Sequence, residues 1–475
     1  MSTFVEAVLN QEVRTENGMK ARKSTANACV DLFFKAGAMR GQNVIPAFVA
    51  AMADNRDWAL RIAQWVRDAR GGAGERDLFR QMLKHLENHD MYAAQALIPK
   101  IPELGRWDDL LTFKSGELRE MAFAYIANAL DAGNGLCAKW MPRQGPVAVE
   151  LRNYMKLSPK QYRKMLVNLT KVVEQKMCAK DWDNINFSHV PSVAAARYKK
   201  AFNRNTTKYA EYVAALVKGE AGVKVNAGAV YPYDVIKGVS NLGWRMDYDK
   251  AELDLIVKQW EALENFVGDA NILPMVDVSG SMSVPAGKNA SLTCMDVAVS
   301  LGLYLADKNQ GKFKDTFLTF SNSPELLHLK GNVIQKCQQM VKSEWGMSTN
   351  LNAAFDKVLS VAVSGNVPQE EMPKMVLILS DMQFNHCTRY DDTALRMIRR
   401  KYEAAGYTVP RVVFWNLNAR DNVPVAFNEQ GVALVSGFSP AIVKSVLNGD
   451  EDNFTPESIM LQTIMNPKYD LGEVK

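Results

Sequence analysis

Asp277, Ser279 and Ser281 alternate in Asp277-Val278-Ser279-Gly280-Ser281, and a second carboxylate, Asp381, follows Ser380 much later in the chain. Each group directly follows a short apolar run, Ile272 to Val276 for the first and Met375 to Leu379 for the second. A third polar loop, Trp345-Gly346-Met347-Ser348-Thr349-Asn350, opens a stretch with helical spacing. Two carboxylates and three hydroxyls from these loops make an all-oxygen shell without thiolate or imidazole. Such a shell suits a hard divalent ion, Mg²⁺ or Mn²⁺, and disfavours zinc or copper. With few direct carboxylates the ion stays electrophilic, so it can accept an acidic oxygen from a partner in an open coordination position. A loop that keeps this geometry without binding an ion would read the same way.

The loops can meet only if the segments before them lie side by side. Apolar runs at 272–276, 316–320, 375–379, 412–415 and 432–435 alternate with helical stretches near 293–308, 351–363, 392–405 and 440–447. Ser439 is the expected N-cap of the last of these, with Pro440 in its first turn. Continuous apolar strands between helices imply a parallel sheet covered on both faces. We therefore expect a doubly wound α/β domain over residues 268–475, with ligands beyond the carboxyl ends of its strands.

Residues 1–267 follow a different period. Trp58, Ile62, Trp65 and Val66 fall on one helical stripe; Leu118, Met121, Ala122, Tyr125, Ile126, Ala129 and Leu130 form another, and Leu253, Ile256, Val257 and Trp260 a third. Breakers at 70–74, 99–102, 131–135 and 142–146 separate them. A succession of short helices suggests pairs stacked as an irregular α-solenoid; a compact bundle satisfies the same pattern.

The 475 residues are 47% hydrophobic and 23% charged, which excludes a mainly disordered or collagen-like chain. The net charge of +5 is unevenly spread. Residues 151–220 carry 14 basic and 5 acidic side chains. A helix read over 159–177 places Tyr162, Met165, Leu166, Leu169, Val172, Val173 and Met177 on one side and Lys160, Arg163, Lys164 and Lys171 on the other. Arg197, Lys199, Lys200, Arg204 and Lys208 follow, with Tyr198, Phe202 and Tyr209 interleaved. That mixture suits phosphate contacts plus base stacking; a solvated helix face is the alternative.

The start of the chain shows no basic segment followed by an apolar core, and no run approaches a membrane span, so a cytoplasmic location is expected. The six cysteines are scattered, without a C-x-x-C pair, and read as reduced, mostly buried thiols. His85 and His89 lack a zinc-protease context and read as surface residues. No G-x-S-x-G elbow, P-loop or H-E-x-x-H motif is present, so no enzyme is expected.

The D-x-S-x-S of Asp277, Ser279 and Ser281 resembles the metal-ion-dependent adhesion site of von Willebrand factor A domains. The resemblance assigns Thr349 as the later threonine and Asp381 as the later aspartate. It implies direct ligation by the hydroxyls, with the aspartates acting directly or through water. A wider resemblance runs along the chain. Arg70-Gly71-Gly72-Ala73-Gly74-Glu75-Arg76 and Gly105-Arg106-Trp107-Asp108-Asp109-Leu110-Leu111 resemble signatures of the helical TROVE module of Ro ribonucleoproteins. Ser380-Asp381-Met382-Gln383-Phe384, Phe414-Trp415-Asn416-Leu417 and Ser436-Gly437-Phe438-Ser439 are closer to a related, largely uncharacterised bacterial, plant and phage family. The resemblance implies a HEAT-like helical repeat domain followed by a von Willebrand factor A domain. It also implies a non-catalytic protein that binds structured or single-stranded RNA and engages an acidic protein partner at the metal. A metal-dependent assembly factor without RNA is the alternative. Both signatures of the helical part also have a structural reading, in which the glycines set tight turns and Arg76, Trp107 and Asp108 lock helix ends.

Overall fold

The computed structural model describes residues 12–114, 116–170, 172–226, 230–240, 250–287, 292–320, 322–343, 349–385, 394–450 and 452–472. A small antiparallel hairpin, β1 (Glu12–Arg14) and β2 (Lys20–Arg22), precedes a series of helices. These are α1 (Ala28–Ala36), α2 (Ile45–Asp54), α3 (Arg56–Arg67), α4 (Arg76–His89), α5 (Met91–Leu97) and α6 (Ile101–Leu104). A 3₁₀ turn at Trp107–Thr112 leads to α7 (Gly116–Asp131), α8 (Gly135–Trp140), α9 (Pro146–Tyr154), α10 (Pro159–Leu169) and α11 (Val173–Cys178). The series ends with α12 (Ser192–Asn205), α13 (Lys208–Lys218), α14 (Pro232–Ser240) and α15 (Lys250–Glu261).

The helices are short because the sequence restarts them repeatedly. Asn27, Asn55, Asp90 and Asn134 each accept a hydrogen bond from a backbone N–H in the first turn of the next helix. Each early helix packs on its predecessor, α1 against α2, α2 against α3, α3 against α4 and α4 against α5.

The helix expected over 159–177 is interrupted. α10 stops at Leu169, Thr170 turns into extended backbone, and α11 begins at Val173. Thr170 and Val172, the extended residues at the break, are β-branched, and their stiff side chains disfavour helix continuation. The break is also a seam between two cores. Tyr162 and Leu166 of α10 belong to the main core, whereas Val173 and Met177 of α11 pack against a second cluster around Phe187, Phe202, Tyr209 and Leu216.

Beyond α15 lies a six-stranded sheet: β3 (Ile272–Val276), β4 (Thr316–Thr319), β5 (Leu326–His328), β6 (Met375–Ser380), β7 (Arg411–Asn416) and β8 (Val432–Ser436). Its order is β5-β4-β3-β6-β7-β8. All neighbours are parallel except β5, which lies antiparallel on β4, so the sheet is mixed rather than wholly parallel. β5 was not expected: it has three residues, none of them buried, and so lacks the apolar run of the inner strands. Helices α16 (Cys294–Lys308), α17 (Val333–Lys342), α18 (Leu351–Ser364), α19 (Ala394–Ala404), α20 (Val443–Leu447) and α21 (Pro456–Ile464) complete this part. Ser439 caps the 3₁₀ turn that precedes α20, as its sequence position implied.

The two parts share one hydrophobic core. α1 packs against β8, where Ser436 Oγ donates to the Phe33 carbonyl (2.8 Å) and accepts from the Gly37 N–H (3.0 Å). A Cβ on Gly37 would run into the Ser436 backbone, so glycine is required for this approach. Asp68, just after α3, takes hydrogen bonds from Lys468 and from the Tyr469 hydroxyl (2.8 Å). At the far end of the helical series α14 packs against α16 and α17. The series thus begins and ends on the α/β layers. Among the described residues no helix is long and apolar enough to cross a membrane.

Candidate metal centre

Sheet order decides where the two aspartates fall. The order runs outward in one direction from β3 through β4 to β5, and in the other from β6 through β7 to β8. β3 and β6 flank the point of reversal, where the loops leaving their carboxyl ends diverge and open a crevice. Asp277 follows β3, Asp381 follows β6, and Val276 is in register with Leu379. The Asp277 N–H donates to the Leu379 carbonyl (3.0 Å), which extends the ladder to the edge of the site.

Four of the five expected ligands meet there. Asp277 is fully buried and accepts from the Ser279 N–H (2.9 Å) and from Ser380 Oγ (2.5 Å). Ser279 Oγ and Ser281 Oγ lie 3.0 Å apart, and Ser281 Oγ donates to Asp381 Oδ1 (3.2 Å). Thr349 joins indirectly: its hydroxyl donates to the Gln383 carbonyl (2.8 Å), two residues beyond Asp381. Residues 344–348 of that loop lie outside the described residues.

The donor set fits a hard cation on two observations. Asp381 is completely buried, yet its Oδ2 has no hydrogen-bond partner among the described residues. Such an atom is costly unless something fills its place. The second observation is electrostatic. Burial raises the Asp277 pKa to about 6, and the Asp381 charge pushes the same way against the lowering hydrogen bonds from Ser380 and Ser279. Burial also raises the pKa of Asp381, opposed by hydrogen bonds from Ser281 and the Gln383 N–H. Two buried carboxylates that resist ionisation together are relieved by a positive ion between them. Among the described residues no group of three or more His, Cys, Asp and Glu side chains gathers for a metal. A cation held here relies on hydroxyls as much as on carboxylates.

Sequence reasoning did not anticipate the surroundings of the site. Gln383 is buried and joins four segments: its N–H donates to Asp381 Oδ1 (3.3 Å), and its side chain accepts from the Glu16 N–H (2.7 Å) and donates to Asn422 Oδ1 (2.8 Å). Its carbonyl accepts from Thr349 and from Asn17 Nδ2 (2.7 Å). Met382, between Asp381 and Gln383, holds a left-handed φ of 64°, an uncommon conformation for a long side chain. The β1–β2 hairpin therefore sits directly on the loop that carries Asp381, with Thr15 Oγ1 also donating to the Phe384 carbonyl (2.6 Å). Arg420 reaches from the loop after β7, with Nη2 3.7 Å from Asp381 Oδ2 and Nη1 3.3 Å from Glu16 Oε1. These partners lie hundreds of positions from the Asp381 loop or in loops without motif character; only Gln383, within the distinctive 380–384 segment, carried a signal.

The expected RNA-binding residues divide between the two cores. Lys160, Arg163 and Lys164 are exposed on α10, beside the main core, and Lys171 lies outside the described residues. Arg197, Lys200, Arg204 and Lys208 are exposed and Lys199 is half-buried, all on α12 and α13 of the second core. The interleaved aromatics do not form a stacking platform. Phe202 and Tyr209 are buried, Tyr198 is half-buried, and these rings pack edge-on or tilted among themselves.

The two signatures of the helical part do structural work. Asp109, wholly buried, bridges Arg67 Nε (2.7 Å) and Arg80 Nε (2.7 Å), while Asp108 pairs with Arg80 and Arg106. The Arg106 guanidinium lies 3.4 Å from the centre of the Trp140 ring. Glu75 pairs with Arg40 (2.6 Å), which stacks on Phe438 of the α/β part. Cys29, Cys137, Cys294 and Cys337 are buried free thiols, Cys178 is exposed, and Cys387 lies outside the described residues.

Comparison with known proteins gives two family matches and one relative. Residues 271–468 match a domain of unknown function (DUF7788), and residues 125–270 match another (DUF2828). The chain is similar to "Uncharacterized protein L728" of Acanthamoeba polyphaga mimivirus, with 30% identity over 524 aligned positions covering 96% of this chain and 88% of the viral protein.

Proposed function

This chain belongs to the family of the mimivirus protein L728, and we propose that it is a non-catalytic, divalent-cation-dependent binding protein. In this reading the α/β part is a domain of the von Willebrand factor A type. Asp277, Ser279, Ser281, Thr349 and Asp381 hold Mg²⁺ or Mn²⁺, and the ion takes a carboxylate from a protein partner. The carrying observation is the placement of both aspartates at the strand-order reversal, linked through Ser279 and Ser281, with Asp381 Oδ2 buried and without a hydrogen-bond partner among the described residues. The ion supplies Lewis acidity; the chain supplies oxygen donors on a rigid sheet edge and a buried loop fixed by Gln383. The helix-on-helix succession of α1 to α5 supports a HEAT-like, TROVE-like helical scaffold. Thermal melts test the site directly. Mg²⁺ should stabilise the protein, and Asp277→Ala should remove that response; an unchanged response in the variant refutes the ligand assignment.

RNA binding by the helical scaffold is a second reading, favoured by the exposed Lys160, Arg163 and Lys164, none of which forms an ion pair among the described residues. With the aromatics buried, such binding rests on phosphate contacts and weakens steeply with salt. Purified protein should carry a raised A260/A280 ratio and release sequenceable RNA. A nucleic-acid-free preparation that ignores both single-stranded and structured RNA at low salt leaves the protein as an assembly factor alone.

A further inference from the structure

Arg420 is the one cation of the described residues within ion-pair distance of Asp381. The pairing does not satisfy either group. Its 3.7 Å separation is too long for a hydrogen bond, and among the described residues neither the buried Asp381 Oδ2 nor the buried Arg420 Nε has a hydrogen-bond partner. A buried acceptor on Asp381 and a buried donor on the guanidinium facing it thus both keep hydrogen-bonding capacity unspent. On its outer side the same guanidinium holds a carboxylate: Nη1 lies 3.3 Å from Glu16 Oε1, whose side chain is 61% exposed. Glu16 is delivered by the hairpin turn, which is pinned to the Asp381 loop through Thr15, Asn17 and the Glu16 N–H.

We propose that Arg420 is the carboxylate-anchoring residue of this site, and that Glu16 occupies it in cis until an acidic partner takes its place. The inference rests on the cation reading above and adds the second anchoring point of the ligand. An acidic side chain entering the site places one oxygen on the cation and accepts hydrogen bonds from the Arg420 fork with the other. A guanidinium suits this role because its planar donors match a carboxylate in pairs. Glu16 then competes with the partner: it is surface-exposed, its pair with Arg420 is weak in solvent, and its removal leaves the fork available. The partner class is a protein surface presenting Asp or Glu, and the hairpin sets the threshold for its entry.

Titration calorimetry of the whole chain with Mn²⁺, in acetate and in chloride at equal ionic strength, tests this with acetate as the probe. An anion that needs both cation and Arg420 raises the apparent Mn²⁺ affinity by linkage. Acetate should tighten Mn²⁺ binding several-fold in the wild type and further in Glu16→Gln. Arg420→Gln should still bind Mn²⁺ but lose the acetate effect, and Arg420→Lys should recover part of it. Circular dichroism melts check that the variants fold. An acetate effect of equal size in the wild type and Arg420→Gln overturns the proposal, as does no acetate effect in Glu16→Gln. Failure of the underlying cation reading looks different: Mn²⁺ binding is then absent, or Asp277→Ala leaves it intact.

Discussion

Replacing Asp277 by Asn should stabilise the protein when no cation is supplied and lose most or all of that advantage when one is. Burial raises the Asp277 pKa from 3.8 to about 6. Between those values the folded chain holds a proton that the unfolded chain has released. Stability therefore falls as pH rises through this window and stays reduced above it. At about 1.4 kcal/mol per pH unit, the ionised carboxylate costs the cation-free protein about 3 kcal/mol near neutral pH. Asn carries no charge, and its oxygen can still accept from the Ser279 N–H while Ser380 Oγ accepts from its amide. Allowing for imperfect bonds, Asp277→Asn should gain about 1–3 kcal/mol in EDTA. With Mg²⁺ at about one hundred times its dissociation constant, the wild type gains about 2.7 kcal/mol and the variant gains none. The two proteins should therefore approach or exchange rank between EDTA and Mg²⁺ in urea denaturation followed by Trp fluorescence. A variant less stable than wild type in EDTA refutes the electrostatic account. A variant stabilised by Mg²⁺ as much as wild type refutes the site.

Asp109→Ala leaves Arg67 buried and unpaired and should cost about 3–5 kcal/mol by the same denaturation assay, with the cation response retained. Gly72→Ala drives a Cβ into the Trp65 carbonyl and the Asp68 side chain, so a loss of about 1–3 kcal/mol is expected in thermal melts; no loss would show that this turn relaxes freely. Reversing Lys160, Arg163, Lys164 and Lys171 to Glu should abolish RNA binding in filter assays without unfolding. Milder Ala replacements should flatten its salt dependence by about 0.7 in log–log slope for each phosphate no longer neutralised. Survival of RNA binding after the reversal places the interface elsewhere.

Much of the α/β part was legible because its inner strands are buried on both faces and read as unbroken apolar runs. The expected runs at 272–276, 375–379 and 432–435 each became a strand. The edge strand β5 and the helices α17 and α21 were not legible in the same way. β5 is too short and too exposed to show a period, and the two helices fall outside the alternation that identified the others. The aspartates and serines of the site could be read because local spacing and strand-end position place them. Its enclosure by Glu16 and Asn17 could not, since their proximity depends on the hairpin folding back on the sheet, nor could Arg420, which comes from a loop after β7 without motif character. The basic helix over 159–177 was overextended because helical periodicity continues through Thr170 while backbone preference and a second core do not. Phe202 and Tyr209 have the composition of a stacking surface, but a small separate core needs its aromatics inside.

The most direct measurement is a crystal structure grown with Mn²⁺ and recorded at a wavelength where manganese scatters anomalously. An anomalous peak is expected at the carboxyl ends of β3 and β6, within ligand distance of Ser279 Oγ and Ser281 Oγ and beside Asp381 Oδ2. A map without a peak there, at a concentration where Mn²⁺ stabilises the protein in solution, or with its only peak elsewhere, would contradict it.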